Sequence, residues 1–153
     1  MDPNDQFNST GEMGPFADLT WAVIRAGIEV QKRLGPWLFE SAYEACLAYE
    51  LELSGHAVER RVPVSLRYRD LVVPNAFRID LLVDGLLVIE LKVAEAMTKE
   101  HEAQVLSYLR FAEKPAGLLM NFALQPLAKR GIRRFLMTQR PFLSPPPSSA
   151  SSV

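Results

Sequence analysis

Cysteine is almost absent from this chain of 153 residues, which contains one, Cys46. A single cysteine excludes an intramolecular disulfide framework and a zinc site built from several cysteines. The first five residues are acidic and polar and lack the basic and apolar segments of a signal peptide. We therefore expect a reduced, cytoplasmic protein.

Long apolar runs are also missing, because the stretch from Leu81 to Leu91 is interrupted by Asp84, Gly85 and Glu90. The sequence therefore predicts no membrane-spanning helix and no membrane partner. Its overall composition is that of an ordinary globular protein, with 48% hydrophobic and 23% charged residues. Such a chain has enough apolar residues to form one core.

Acidic residues are missing from the C-terminal end. The protein has 17 basic and 18 acidic residues, but no Asp or Glu follows Glu113. The basic residues beyond that point are Lys114, Lys129, Arg130, Arg133, Arg134 and Arg140. A basic end can face a polyanion, or it can simply keep a near-neutral protein soluble. The charge pattern alone slightly favours the second interpretation.

Proline, serine and other polar residues mark both ends of the chain. We predict a disordered tail over residues 1–17, one domain over residues 18–142, and a disordered Pro/Ser tail over residues 143–153. No internal repeat is visible.

Two helices are predicted at the start of the domain. Apolar residues at helical spacing predict the first over residues 19–34, with Asp18 or Thr20 near its start and Gly35-Pro36 at its end. The second is predicted from Trp37 to Leu53, and its expected core-facing residues are Leu38, Ala42, Cys46, Leu47 and Leu51. Helical spacing also places Glu40, Tyr43, Glu44 and Leu47 on one face.

The period then changes to two. Alternation from Val62 to Arg69 predicts a half-exposed strand, and Pro63 favours an edge position. Residues 77–83 and 86–93 are too uniformly apolar to be exposed on both faces, so they are predicted as central strands joined at Asp84-Gly85.

A third helix and another strand follow. Thr98 is the expected cap of a helix that reaches about Ala112, and residues 116–122 form a buried strand parallel to the one before the helix. The last element, over residues 132–137, is predicted as either a short strand or a helix. The fold class is therefore α/β or α+β, with a mixed sheet flanked by helices.

Three charged residues interrupt the apolar central strands. Asp80 lies in the first of these strands, and Glu90 and Lys92 lie in the second. Because burying an unpaired charge costs several kcal/mol, these side chains require partners or a metal ion. A site is favoured, and the alternative is a structural ion-pair cluster.

The register of the hairpin decides whether these three residues meet. A two-residue loop at Asp84-Gly85 would pair Asp80 with Ile89 and place it on the face opposite Glu90. A shared site therefore predicts a three-residue loop or a bulge, for instance Val83-Asp84-Gly85 with Gly85 left-handed. The two carboxylates could then bind Mg²⁺ or Mn²⁺, with Lys92 beside them, as in metal-assisted phosphodiester hydrolysis.

The spacing of Asp80 and Glu90-Leu91-Lys92, followed by a helix, resembles the PD-(D/E)XK nuclease superfamily, which has a restriction-endonuclease-like core. Further motifs resemble the small bacterial GxxExxY proteins, in this order: Ile28-Glu29-Val30, Leu34-Gly35-Pro36, Glu40-Ser41-Ala42-Tyr43-Glu44, Arg78-Ile79-Asp80, Ile89-Glu90-Leu91-Lys92 and His101-Glu102-Ala103-Gln104. Trp37 stands where that family's motif has glycine.

The resemblance implies a role for each site residue. Asp80 and Glu90 would be metal ligands, Lys92 the catalytic lysine, and Glu40 a further acid that reaches the site from the second helix. A solvated helix acid is an equal alternative for Glu40. Gln104 and Tyr108 resemble the Gln-x-x-x-Tyr element of some nucleases and would contact substrate, or they would simply bridge the helix to the sheet rim.

Four arginines of the first strand, Arg60, Arg61, Arg67 and Arg69, are able to contact phosphates. A polar strand face needs no function, however, and we favour plain solvation for them.

Three functional hypotheses remain. The first is a Mg²⁺- or Mn²⁺-dependent nuclease with nucleic acid, preferably DNA, as its substrate. The second is an inactive nuclease-fold module that binds nucleic acid or a protein partner. The third is a homodimeric interaction protein.

Overall fold

The computed structural model describes residues 16–137. Most of the predicted N-terminal tail and all of the predicted C-terminal tail lie outside the described residues. Within this range, no helix is long and apolar enough to cross a membrane.

Nine elements follow one another within residues 16–137, and their order agrees with the prediction, with one short helix added. They are α1 (Ala17–Leu34), α2 (Glu40–Leu53), β1 (Val58–Tyr68), β2 (Leu71–Val83), β3 (Leu87–Lys92), α3 (Lys99–Ala112), β4 (Ala116–Asn121), α4 (Leu127–Arg130) and β5 (Ile132–Leu136).

The two N-terminal helices differ from prediction where they begin. Phe16, rather than Asp18 or Thr20, is the N-cap of α1. The second helix begins at Glu40 and not at Trp37, because Trp37 has a left-handed φ of 69° that a helix cannot contain. Leu38, expected in the core, is 41% exposed and precedes the helix. The predicted shared face of α2 does form, and Tyr43, Glu44 and Leu47 are buried on it.

The sheet has five strands in the order β1-β2-β3-β4-β5. The pair β3–β4 is parallel, as the crossover through α3 predicts, and the other three pairs are antiparallel. Pro63 lies on the edge strand β1 as expected. Both strands of the first hairpin are longer than predicted, since alternation alone does not reveal the polar start of β1 or the exposed start of β2.

The loop between β2 and β3 has the length that a shared site requires. Val83 pairs with Leu87, so the loop consists of Asp84, Gly85 and Leu86, one residue later than the example given from sequence. Asp84 and Gly85 both have a positive φ, at 53° and 67°. The even register puts Asp80 and Glu90 at opposing positions of the hairpin.

Two hydrophobic clusters cover the two faces of the sheet. The first contains residues of α1, α2 and α4, including Tyr43, whose ring stacks on Phe122 at 4.5 Å between centroids. The second contains Val105, Tyr108 and Leu109 of α3. The helix α3 begins with a reciprocal capping box: Thr98 Oγ1 accepts from the N–H of His101, and His101 Nδ1 accepts from the N–H of Thr98, both at 3.2 Å. The expected Thr98 cap is therefore confirmed.

Candidate active site

Asp80 lies where strand alternation breaks. Ile79 belongs to the cluster under α3, but Leu81, two residues later, belongs to the cluster under α1 and α2. Regular alternation would put both on one face. On the neighbouring strand β1, Val62 pairs with Ile79 and Arg60 pairs with Leu81. Arg61 lies between them and has a φ of 53°. The break lets the Asp80 carboxylate turn toward β3, where Oδ2 accepts a hydrogen bond from the N–H of Leu91 at 2.8 Å.

Glu90 is the most deeply buried acid of the site, at 3% exposure. Its Oε1 lies 3.2 Å from Nζ of Lys92, which follows two residues later on the same side of β3. Its Oε2 is buried and receives no hydrogen bond from residues 16–137. The predicted pairing of Glu90 and Lys92 therefore exists, but it leaves one carboxylate oxygen without a donor.

Burial and neighbouring negative charge raise the proton affinity of both carboxylates. Burial, and next the charge of Asp80, raises the pKa of Glu90 to about 8, against the opposing effect of Lys92. Burial also raises the pKa of Asp80; the Leu91 N–H opposes this shift, whereas the charge of Glu44 adds to it. Two neighbouring acids that resist ionisation in the same place are typical of a site that binds a cation.

Gln104 and Tyr108 extend the site from α3. Nε2 of Gln104 donates to Oη of Tyr108 at 2.6 Å. Burial, and next the charge of Glu90, raises the pKa of Tyr108 to about 12, so its hydroxyl stays protonated at neutral pH. The structure thus brings Tyr108 close to Glu90, and Gln104 contacts Tyr108. The alternative role, a bridge to the sheet rim, is compatible with the same contacts.

Glu40 stands apart from the other predicted residues. It is the exposed first residue of α2, and it acts on Asp80 through its charge, which adds to the raised pKa of that acid. Glu44, one turn later, has the larger effect on Asp80 and is 6% exposed. Its Oε1 accepts from Nε of Arg60 at 3.2 Å and of Arg61 at 3.3 Å. Sequence analysis placed Glu44 on the face of Glu40 but did not recognise it as part of the site.

Asn121 is a second residue that sequence analysis missed. It ends β4 beside Lys92 and is fully buried. Its Oδ1 accepts from the N–H of Ala94 and of Ala123, both at 3.1 Å, and its Nδ2 donates to the Ala94 carbonyl at 2.9 Å. Asn121 therefore fixes the chain that leaves Lys92. The available signal was a lone polar residue in the apolar run from Ala116 to Phe122.

The donor set fits a hard divalent cation. Asp80 and Glu90 supply carboxylate oxygens, which Mg²⁺ prefers, and Oε2 of Glu90 still lacks a partner within the described residues. No group of three or more His, Cys, Asp or Glu side chains suited to a metal occurs in residues 16–137. This agrees with Mg²⁺ sites in which one or two carboxylates combine with water and substrate phosphate.

Comparison with known families identifies this arrangement. A family model described as the PD-(D/E)XK nuclease superfamily matches residues 17–135, which is most of the chain. The protein belongs to the PD-(D/E)XK nuclease superfamily. The mixed sheet with its helices is accordingly a restriction-endonuclease-like fold, and a nuclease-like function is indicated. No curated protein and no solved structure matches the chain.

Proposed function

We propose that this PD-(D/E)XK protein is a divalent-metal-dependent nuclease that hydrolyses phosphodiester bonds, with DNA as its substrate and Mg²⁺ or Mn²⁺ as its cofactor. The observation that carries the proposal is the meeting of Asp80, Glu90 and Lys92. Asp80 comes from β2, and Glu90 and Lys92 come from β3. Nζ of Lys92 lies 3.2 Å from Oε1 of Glu90, and Glu90 and Asp80 each alter the pKa of the other.

Asp80 and Glu90 would hold the metal ion. When bound, it would polarise the scissile phosphate and lower the pKa of the attacking water. Membership of the superfamily supports this assignment, since these nucleases generally use divalent metals. The unpartnered Oε2 of Glu90 supports it independently.

Lys92 would orient the attacking water and stabilise charge on the phosphate. Its side chain is 18% exposed and its ammonium group contacts Glu90, so it is directed into the site rather than into solvent. An ammonium group in a partly desolvated site stabilises developing negative charge more strongly than it would in water.

Gln104 and Tyr108 would position the substrate. The protonated hydroxyl of Tyr108 already accepts a hydrogen bond from Gln104, so its own proton remains available to a phosphate oxygen or a base. Glu40 would contribute charge at the mouth of the site, as the GxxExxY resemblance implies.

The decisive experiment is cleavage of duplex, single-stranded and branched DNA and of RNA by purified protein with Mg²⁺, Mn²⁺ or EDTA. We expect Asp80→Asn, Glu90→Gln and Lys92→Ala each to reduce turnover by about 100-fold or more. Matched controls are Glu52→Gln and Lys32→Ala, which alter exposed residues on α2 and α1. They should keep full activity.

The variants also distinguish genuine cleavage from a contaminating nuclease, because a contaminant would persist in all of them. Folding of each variant is checked by circular dichroism. If the folded wild type cleaves none of the substrates with either metal, the nuclease proposal is wrong. Binding without turnover would then favour the inactive-module hypothesis.

A further inference from the structure

The outer end of the β1–β2 hairpin changes face relative to the rest of the sheet. Val64 pairs with Phe77, but the next recorded pair is Leu66 with Val73. Between these two pairs, β2 has three residues, including Asn75 with a φ of 53°, whereas β1 has only one. Bulges of this kind re-aim the side chains that follow them.

The re-aimed side chains meet the end of α3. A groove of about 470 Å³ is lined by Ser65 and Arg67 of β1, by Arg69 of the turn that follows, and by Arg110, Phe111 and Glu113 at the end of α3. Three guanidinium groups thus face one carboxylate. We name the surface formed by Arg67, Arg69 and Arg110 the arginine groove.

Aromatic rings support two of these arginines. The guanidinium of Arg110 lies 5.0 Å from the ring centre of Phe111, and that of Arg69 lies 5.7 Å from the ring centre of Tyr68. Stacking on a ring orients a guanidinium group and lets its edge face an anion, as for Arg69 on Tyr68. A planar set of donors suits phosphate recognition.

The other two arginines of β1 are different. Arg60 and Arg61 both contact the buried carboxylate of Glu44. Their charge is therefore partly neutralised inside the fold. Of the four arginines that sequence analysis treated together, the structure directs Arg67 and Arg69 into an open cationic groove.

The arginine groove is linked to the candidate active site through the hydrophobic cluster under α3. Phe111 lines the groove and stacks on Phe77 at 5.4 Å, and Phe77 meets Tyr108 edge-on at 5.7 Å. Two ring contacts therefore separate the groove from the residue beside Glu90. Since one strand of duplex DNA carries a phosphate every 3.4 Å along the axis, this span covers on the order of three nucleotides.

We propose that the arginine groove binds the sugar–phosphate backbone of the DNA strand that is cut, a few nucleotides from the scissile bond. This inference rests on the proposed nuclease function for its substrate class. The recognition is by charge, because the groove offers guanidinium groups to phosphates, and contacts to phosphates carry no sequence information.

The test is the salt dependence of binding to a fluorescently labelled DNA duplex, measured by anisotropy in EDTA so that no cleavage occurs. We expect the double variant Arg67→Ala/Arg69→Ala to bind about tenfold more weakly at 50 mM salt. The slope of log K against log salt is negative, and it should become shallower by about two, one unit for each lost phosphate contact. Glu113→Gln should bind more tightly, because it removes the one carboxylate of the groove.

Two control variants separate charge from fold. Arg67→Lys/Arg69→Lys retains both charges and should retain the salt slope. Arg25→Ala removes an exposed arginine of α1 and should leave binding unchanged. In cleavage assays, the double alanine variant should have a raised KM and an unaltered kcat.

The outcomes for the groove and for the nuclease proposal are separable. If the wild type cleaves DNA and the double alanine variant binds with the same affinity and slope, the groove inference is wrong and the nuclease proposal stands. If no protein cleaves but the slope becomes shallower as expected, the groove binds the DNA backbone, but the nuclease proposal and the assignment of the groove to a cut strand both fail. Loss of binding by Arg25→Ala to the same extent would also overturn the groove inference.

Discussion

Individual residues set the chemistry of this site through small departures from regular backbone. At Asp80 the alternation of side chains between the two faces of β2 breaks. The Asp80 carboxylate, rather than a main-chain carbonyl, accepts the hydrogen bond from the N–H of Leu91. This departure brings an acid from β2 beside Glu90 of β3. A regular strand would bury an aliphatic side chain there at no electrostatic cost, so the arrangement favours function over stability.

Trp37 is a residue whose backbone conformation conflicts with its side chain. Its φ of 69° is easily adopted by glycine, which is the residue that the GxxExxY motif has at this position. Its neighbours hold the turn, since Oη of Tyr43 donates to the Gly35 carbonyl and accepts from the N–H of Leu38 at 3.2 Å. The indole is 57% exposed, so it contributes little burial in return.

We predict that Trp37→Gly increases the free energy of unfolding by up to about 1 kcal/mol, because it relieves a left-handed conformation at a non-glycine residue. The measurement is urea denaturation. Trp37→Ala is the matched control, since it removes the same indole but keeps the strain. Equal effects of the two substitutions would show that the backbone conformation is not the cause.

Whole elements are held in place by a few buried polar contacts. Gln31 of α1 is 7% exposed and reaches the chain after β4. Its Nε2 donates to the carbonyls of Phe122 at 3.0 Å and Leu124 at 2.8 Å, and its Oε1 accepts from the N–H of Leu127 at 3.0 Å. One side chain thus joins α1 to the start of α4.

We predict that Gln31→Leu lowers the free energy of unfolding by about 3 kcal/mol, because it leaves three backbone groups without partners in a mainly buried location. Thermal and urea unfolding would measure the loss. Lys32→Leu, at the adjacent exposed position, should change stability by less than about 0.5 kcal/mol. A similar loss in both variants would contradict the role of the Gln31 contacts.

At the scale of the whole molecule, the buried acids of the candidate site lower the free energy of unfolding. Acidic side chains from α2, β2 and β3 act on one another in a buried location, and three of them, Glu44, Asp80 and Glu90, are linked through the pKa of Asp80. Folding brings these acids together, and the raised pKa of Glu90 keeps its carboxyl largely protonated at neutral pH in the metal-free protein. A bound cation would favour the ionised form.

The sign of the resulting pH dependence follows from Glu90. Its pKa is about 8 in the folded protein against 4.5 in an unfolded chain, so between these values only the folded state retains the proton. We predict that, in EDTA, the free energy of unfolding decreases by on the order of 2 kcal/mol as the pH rises from 5 to 8. Urea denaturation across this range measures it.

Metal addition and Glu90→Gln give the controls for this prediction. At pH 8, Mg²⁺ at 100 times its Kd should restore about 2.7 kcal/mol to the wild type. Glu90→Gln should have a flatter pH profile and little response to Mg²⁺. If wild type and variant have the same profile in EDTA, Glu90 does not carry the linkage.

Local sequence determined the elements and their order. Periodicity was sufficient for α1, β3 and β4, because the helix buries one face and both strands are buried on both faces. For α3, the Thr98 cap added the start of the helix. The requirement that Asp80 meet Glu90 was sufficient to predict the three-residue loop. The mixed sheet followed from the helical crossover between β3 and β4. Of the predicted site residues, Asp80, Lys92 and Tyr108 interact with Glu90, Gln104 contacts Tyr108, and Glu40 stands apart.

Only the tertiary structure decided the contacts between distant segments. Glu44 and Asn121 acquired their roles from neighbours on other elements, which periodicity within one element cannot report. The start of α2 was missed because the left-handed Trp37 is imposed by contacts of Tyr43 and not by its own preference. The arginine groove depends on a bulge in β2 that changes the face of β1 residues. Sequence reports the pattern of burial along one element, whereas sites arise where elements meet.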